Sequence, residues 1–300
     1  MEYFEISKGV VVFKNVLKDP QHTYELIKQS QVKKDSLFSD WVRWGSAGLK
    51  SILNPFDYSD TGSESEQFIQ ELRSIFSKCF TIYKDKYADI EYHKTLDIDP
   101  HYEMPNTSEE KLFSLKERLE YGGWGPAYFL VGDYSKSFHE NGLMYGYHLD
   151  RTPFWGTPPY AYSLNVYPHD NYDGGGLAFI DMSTAEKKVT GSGAEYWLID
   201  KPIEYKPESG DAILFPSMQY HATFQSYNGE KVFIRMHMQS PNPNSYLKDI
   251  EGMSKAEIEA KQNKSMQECM ENYSHLANII YGEKNMELAT GKSAKFMIKE

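Results

Sequence analysis

Residues 145–150 read Tyr145-Gly146-Tyr147-His148-Leu149-Asp150, and taking them as a strand decides the fold. Residues i and i+2 of a strand share a face, so His148 and Asp150 would aim an imidazole and a carboxylate into one cavity. A second imidazole follows Pro207-Glu208-Ser209-Gly210-Asp211-Ala212-Ile213-Leu214-Phe215-Pro216. In Gln219-Tyr220-His221-Ala222-Thr223 only His221 can supply it. Two imidazoles and one carboxylate on one face of a metal, with the other face open, suit non-haem Fe(II) working with O2.

The tripeptide alone is weak evidence. His101-Tyr102-Glu103 has the same form, and with 9 histidines and 43 acidic residues such pairs arise by accident. The surroundings carry more weight. From Tyr128 to Gln239, short apolar runs are cut by Gly, Pro, Asn and Asp, the texture of a many-stranded antiparallel sheet.

Working outward, Gly9 to Leu17 reads as a buried strand, and Asp19-Pro20 supplies an N-cap and first-turn proline for a helix to about Ser30. Phe68, Leu72, Ile75, Phe76, Phe80 and Tyr83, mostly three and four apart, predict a second helix from Ser63 to about Ala88. After Pro241-Asn242-Pro243-Asn244 the helical pattern returns from Ser254 to Tyr281, expected as an outer helix or an oligomer contact. The expected fold class is a mostly β core with flanking helices (α+β). Residues 1–127 would form an N-terminal strand and supporting helices, 128–240 the catalytic core, and 241–300 a C-terminal helical extension, together one structural unit.

Composition narrows the function. The 300 residues are 40% hydrophobic and 15% aromatic, enough for a sizeable core. The formal charge of -11 disfavours nucleic-acid partners, which are bound through Lys and Arg. No run of 18 apolar residues occurs, and Met1-Glu2-Tyr3-Phe4-Glu5-Ile6-Ser7-Lys8 lacks the basic flank and apolar block of a secretory signal. Cys79 and Cys269 are too few for a disulfide framework. A soluble cytoplasmic protein without a membrane partner is expected, in a reducing compartment that would keep iron ferrous.

The region from about Phe129 to Ser240 resembles an Fe(II)/2-oxoglutarate-dependent dioxygenase of the prolyl 4-hydroxylase-like branch. Asn141-Gly142 and Tyr145 to Asp150 resemble that family's approach to its first two ligands. Val166-Tyr167 and Gly175-Gly176-Leu177-Ala178-Phe179 resemble its central strand and following turn, and Lys206 to His221 its segment leading to the distal histidine. Gly229-Glu230-Lys231 and Met238-Gln239-Ser240 resemble the opening and close of its last core strand. The resemblance implies a double-stranded β-helix (jelly roll) and Fe(II) held by His148, Asp150 and His221. It also implies 2-oxoglutarate and O2 as co-substrates, with ascorbate in support. Hydroxylation of an unactivated C–H bond would release succinate and CO2.

By the same resemblance, Lys231 and Tyr167 hold the distal carboxylate of 2-oxoglutarate, and Tyr145 is grouped with them. Arg235, four residues beyond Lys231, shares its face about 13 Å further along. A tight hairpin at Asn228-Gly229 would put Arg235 almost opposite His221 and Lys231 at the rim. A wider connection would bring Lys231 inward, leaving Arg235 near the metal to grip an anionic substrate group. An arginine among Phe233, Ile234, Met236 and Met238 is costly to bury without an anion.

Blander readings attach to the other features. Gly174-Gly175-Gly176 and Gly210-Asp211 read as turns. His169 and Asp170 fall in a loop with no counterpart ligand, His139 packs or faces solvent, and His237 is either a substrate contact or a satisfied core histidine. Arg151 to Tyr160 is either a substrate-facing lid or an irregular connection. Phe138 stands where peptide-hydroxylating relatives carry tyrosine, which questions a shared substrate. Asp150 is not the Gly or Ala that would admit chloride, so halogenation is disfavoured. The substrate expected is a prolyl peptide or a small amino-acid-like molecule. The alternatives are a non-catalytic metal- or ligand-binding jelly roll and, third, an oxidative nucleic-acid demethylase.

Overall fold

The computed structural model describes residues 1–32, 41–44, 49–53, 62–87, 125–132, 143–150, 160–239, 277–285 and 294–299, with 253, 254, 256, 257, 260 and 288 singly. The chain opens with β1 (Tyr3–Ser7), β2 (Val10–Phe13), α1 (Pro20–Val32), β3 (Trp41–Trp44), β4 (Leu49–Leu53) and α2 (Gly62–Lys86). Then come β5 (Gly125–Gly132), β6 (Leu143–His148), β7 (Tyr160–Val166), β8 (Asp173–Gly174), β9 (Leu177–Phe179), β10 (Glu186–Val189) and β11 (Glu195–Ile199). The remaining strands are β12 (Ile203–Tyr205), β13 (Ala212–Pro216), β14 (His221–Phe224), β15 (Ser226–Tyr227), β16 (Lys231–Gln239) and β17 (Phe296–Ile298).

Among the described residues these strands form an eight-stranded sheet, β1-β2-β13-β7-β16-β5-β4-β3, and a four-stranded sheet, β12-β9-β14-β6. Smaller sheets pair β15 with β8 and β10-β11-β17. All ladders are antiparallel except β11 with β17. The first strand and the 128–240 region therefore share one sheet, because β2 pairs with β13.

Period-2 alternation splits the large sheet into two faces. Val11, Phe13, Leu164, Val166, Ala212, Leu214, Val232 and Ile234 belong to one buried cluster, together with Ile27 of α1 and Leu72, Phe76 and Phe80 of α2. Their neighbours Val10, Val12, Tyr167, Ile213, Phe215 and Phe233 join a second cluster with Leu177 and Phe179 of the four-stranded sheet. One face is thus covered by helices and the other by the second sheet. Each fully buried side chain of this kind contributes about 1.5–3 kcal/mol.

The helices begin as capping chemistry requires. Asp19 Oδ1 accepts from His22 N at 2.9 Å at the start of α1, satisfying a donor the helix leaves open. The buried face of α2 runs through Leu72, Ile75, Phe76, Cys79, Phe80 and Tyr83, and Phe80 and Tyr83 both pack 5.2 Å from the ring of Tyr162. Ser254 and Glu257 exchange hydrogen bonds as a capping box, and residues 277–281 are helical. Most of the helix expected between these points lies outside the described residues.

Two expectations need correction. The strand read over Gly9 to Leu17 ends at Phe13, because Asn15 takes a left-handed φ of 53° and turns the chain; Val16 and Leu17 are buried off the sheet. The tight-hairpin option at Asn228-Gly229 also fails. β14 pairs with β6 and β9, whereas β16 pairs with β5 and β7, so the chain crosses between sheets here. Among the described residues no helix is long and apolar enough to cross a membrane.

Candidate metal centre

β6 and β14 lie side by side with His148 and His221 as register partners, their ring centroids 4.4 Å apart. Asp150 is not on the strand, which ends at His148. It sits in the following bend, where its N–H donates to Ser217 O at 3.2 Å. The carboxylate still arrives beside the imidazoles: Asp150 Oδ1 is 3.4 Å from His221 Nε2 and 3.9 Å from His148 Nε2. One potential ligand atom from each residue lies within 4.8 Å of the others. Donors bound at about 2 Å to one ion stand about 3–4 Å apart, so small side-chain rotations suffice to close on a metal.

The protonation pattern also suits a cation. His221 Nδ1 faces Gln219 O at 3.0 Å, and since a carbonyl only accepts, Nδ1 carries the proton. Nε2 is buried, without a hydrogen bond and 3.4 Å from Asp150 Oδ1, where a neutral imidazole would present its lone pair to a cation. Gln219 is itself pinned, donating to Ile180 O at 2.7 Å and accepting from Tyr281 OH at 3.1 Å. Phe215 and Phe179 pack on the His221 ring at 4.8 and 6.2 Å. The side chains of His221 and Asp150 are 0% and 1% exposed, whereas that of His148 is 37% exposed, so the triad is open on the His148 side.

Three residues around Asp150 come from strands of the opposite sheet. Ser163 Oγ donates to Asp150 Oδ2 at 2.5 Å, and Arg235 Nη1 donates to Oδ1 at 2.9 Å. Arg235 Nε donates to Asn165 Oδ1 at 3.1 Å, leaving the fully buried Asn165 Nδ2 without a partner. Ser163 and Asn165 were not singled out in the sequence. The signal was available: Ser163, Asn165 and Tyr167 are polar at i, i+2 and i+4, alternating with apolar Leu164 and Val166.

Lys231 is fully buried on the same strand face as Arg235, with the Phe233 ring between them, 5.5 Å from Lys231 Nζ and 5.8 Å from Arg235 Cζ. Its Nζ donates to Gly175 O at 2.5 Å and lies 5.8 Å from the centre of the Tyr167 ring. Burial, and secondarily the charge of Arg235, pulls the Lys231 ammonium down to about 7. Tyr145 pairs with Thr223 in the backbone, and its side chain lies outside the described residues. So does that of His237, whose backbone is in register with Ser163.

His169 packs 4.3 Å from Tyr24 and 5.6 Å from Tyr172, and burial pulls it down to about 4. It belongs to no cluster of potential metal ligands among the described residues. Asp211 is a structural acid. Its carboxylate is ion-paired to Lys14 at 2.8 Å and accepts from Tyr205 OH at 2.8 Å and Glu208 N at 2.9 Å. Gly174 and Gly175 have φ of 65° and 67°, as a turn demands. His101, Phe138, His139 and residues 151–159 lie outside the described residues.

No known protein-family profile matches the chain. It is 28% identical over 123 residues to a PKHD-type hydroxylase of Prochlorococcus marinus (strain MIT 9301), a match covering 39% of this chain and 45% of the relative. The chain thus spans less than half the length of that curated relative. Among solved structures it is similar to a Pseudomonas putida prolyl-4-hydroxylase at 11% identity and TM-score 0.42, covering 78% of this chain and 94% of the other. It is also similar to a Trichoplax adhaerens prolyl hydroxylase crystallised with a hypoxia inducible factor peptide fragment, at 13% identity and TM-score 0.43, covering 77% and 84%. At these TM-scores the fold rests on the strand pairings described above.

Proposed function

We propose that the chain is an Fe(II)- and 2-oxoglutarate-dependent oxygenase of the prolyl 4-hydroxylase-like branch, built on a double-stranded β-helix spanning residues 128–240. It hydroxylates an unactivated C–H bond of a prolyl peptide or a small amino-acid-like substrate, with O2 as oxidant and succinate and CO2 as products. The observation that carries this reading is the convergence of His148, Asp150 and His221, whose donors face one another within 4.8 Å. The partial identity to a PKHD-type hydroxylase supports it. The cytoplasm is the proposed compartment.

Bound iron would supply O2 activation coupled to oxidative decarboxylation of 2-oxoglutarate. The chain supplies positioning. His148, Asp150 and His221 would hold the ion, and Ser163, donating to Asp150 Oδ2, orients the carboxylate. Lys231, with Tyr167 beside it, offers a buried cation for the distal carboxylate of 2-oxoglutarate, and Tyr145 is a further candidate contact. Arg235 stands at the triad with Asn165, where its guanidinium and the unpartnered amide can hold an anionic group of the substrate. The packed aromatics Phe179, Phe215 and Phe233 keep bulk water away.

The test is succinate formation by the purified chain with Fe(II), ascorbate and 2-oxoglutarate. Slow turnover without substrate, abolished in His148→Ala and His221→Ala, is expected. Succinate release that both substitutions leave intact would overturn the proposal.

A further inference from the structure

Both histidines of the triad are preceded by a tyrosine, Tyr147 before His148 and Tyr220 before His221. Adjacent strand residues face opposite ways, so with the imidazoles turned into the cavity these tyrosines lie on the outer side of the ligand strands. One side chain covers them both. The ring of Phe296 stands edge-on to Tyr147 at 5.8 Å and 67°, and edge-on to Tyr220 at 4.9 Å and 71°. These are favoured separations and angles for aromatic pairs. Phe296 lies about 150 and 75 residues further along the chain than these two tyrosines.

Phe296 is itself firmly held. β17 runs parallel to β11, with Phe296 in register with the buried Trp197. Trp197 N donates to Lys295 O at 2.8 Å, and Lys299 N donates to Ile199 O at 2.7 Å. Lys299 Nζ donates to Thr184 O at 3.1 Å and pairs with Asp200 at 3.1 Å and Glu186 at 3.4 Å. Met297 and Ile298 are exposed, so of the three β17 side chains only that of Phe296 is turned inward.

We infer that Phe296 is a positioning residue for the metal centre, clamping the two histidine-bearing strands from behind so that His148 and His221 keep their spacing. The inference rests on the metal reading above. Supporting groups behind metal ligands affect affinity by about 10–100-fold. Phe296 acts through Tyr147 and Tyr220 rather than on a ligand directly, so the lower end is expected.

The 300-residue chain is titrated with Co(II) alone, with its visible absorption bands as the readout and circular dichroism of the metal-free protein as the folding control. Phe296→Ala should keep the metal-free spectrum, weaken Co(II) binding about tenfold and alter the absorption bands, with Phe296→Tyr close to wild type. Met297→Ala, on the exposed side of the same strand, should bind as wild type. A folded Phe296→Ala that binds Co(II) with wild-type affinity and bands overturns the clamp, as does Met297→Ala weakening it equally. Should Phe296→Ala unfold, Phe296→Leu decides: weakened binding in a folded chain supports the clamp, and unchanged binding overturns it. A wild-type chain that takes up no Co(II) removes the metal centre and the clamp together, whereas wild-type uptake with an indifferent Phe296→Ala removes the clamp alone.

Discussion

Arg235 and Asp150 meet at 2.9 Å, Nη1 to Oδ1, and the accepting oxygen is the same one that faces both imidazoles. In the metal-free chain the guanidinium therefore neutralises a carboxylate that is 1% exposed. Removing one partner of a buried pair strands the other charge, at a cost of about 3 kcal/mol. Arg235→Met should accordingly lower the melting temperature of the metal-free chain by several degrees. Added Fe(II) supplies a replacement positive charge and should restore most of the loss by binding only the native state. Calorimetry with and without Fe(II) under anaerobic conditions measures both quantities; a loss of equal size in both would show that Arg235 matters for packing and not for the Asp150 charge.

Ser163 should matter more than its size suggests. Its hydroxyl donates to Asp150 Oδ2 and lies 3.4 Å from Ser217 Oγ, so it fixes the plane of the carboxylate. In Ser163→Ala the carboxylate can rotate, and metal affinity should fall about tenfold or more while the strand, fully paired on both sides, persists. Metal titration of the folded variant checks this, and unchanged affinity would mean that Asp150 keeps its orientation without the Ser163 hydroxyl.

Much of this site was legible in the sequence because it depends on local rules. Strand period pointed to His148, His221 was the single histidine of its segment, capping chemistry placed the start of α1, and the spacing of apolar residues placed α2. Asp150 was paired with His148 through a strand rule, yet it lies beyond the strand end and is held by Ser217 O, a contact between residues far apart in order. The same reason hid the partnership of Lys231 with Gly175 O and of Phe296 with Tyr147 and Tyr220. Which sheet β16 joins was likewise not fixed locally: Asn228-Gly229 permits a hairpin, and only the pairing of β16 with β5 and β7 decides against it.

With Lys231 holding the distal carboxylate as proposed, 2-oxoglutarate binding should be sensitive to pH. In the folded chain its ammonium is pulled to about 7 from the ordinary 10.5, so between these values the unfolded chain carries the extra proton. Stability of the ligand-free protein should thus rise with pH across that window and be lowest below it, where a buried charge must be kept. A carboxylate at Nζ favours the charged form, so binding takes up a proton above pH about 7 and affinity declines as pH rises. Titration calorimetry in buffers of different ionisation enthalpy reads the uptake directly. Lys231→Arg should abolish the uptake, since guanidinium stays protonated. Proton uptake that survives Lys231→Arg would move the carboxylate site elsewhere, and loss of 2-oxoglutarate binding in Arg235→Ala but not Lys231→Ala would exchange the roles of the two cations.

Gly229 is constrained by space rather than by backbone angle. A Cβ there would overlap Asn171 O and come within 3.0 Å of Tyr172 Cα, both backbone atoms that cannot swing aside. Gly229→Ala must therefore part the crossing from β15 to β16 from the 171–172 loop, a forced expansion of the kind that costs about 1–3 kcal/mol. The strain falls two residues from Lys231 and next to Glu230, which is ion-paired to Lys28 of α1. Both the melting temperature and 2-oxoglutarate affinity should drop in Gly229→Ala. Gly191→Ala is the matched control, because its Cβ would meet nothing within 4 Å, and it should change neither. If Gly229→Ala lowered stability but left 2-oxoglutarate affinity intact, the crossing would be a structural tie without influence on where Lys231 sits. A joint loss places the start of β16, and with it the buried ammonium, under the control of this one close approach.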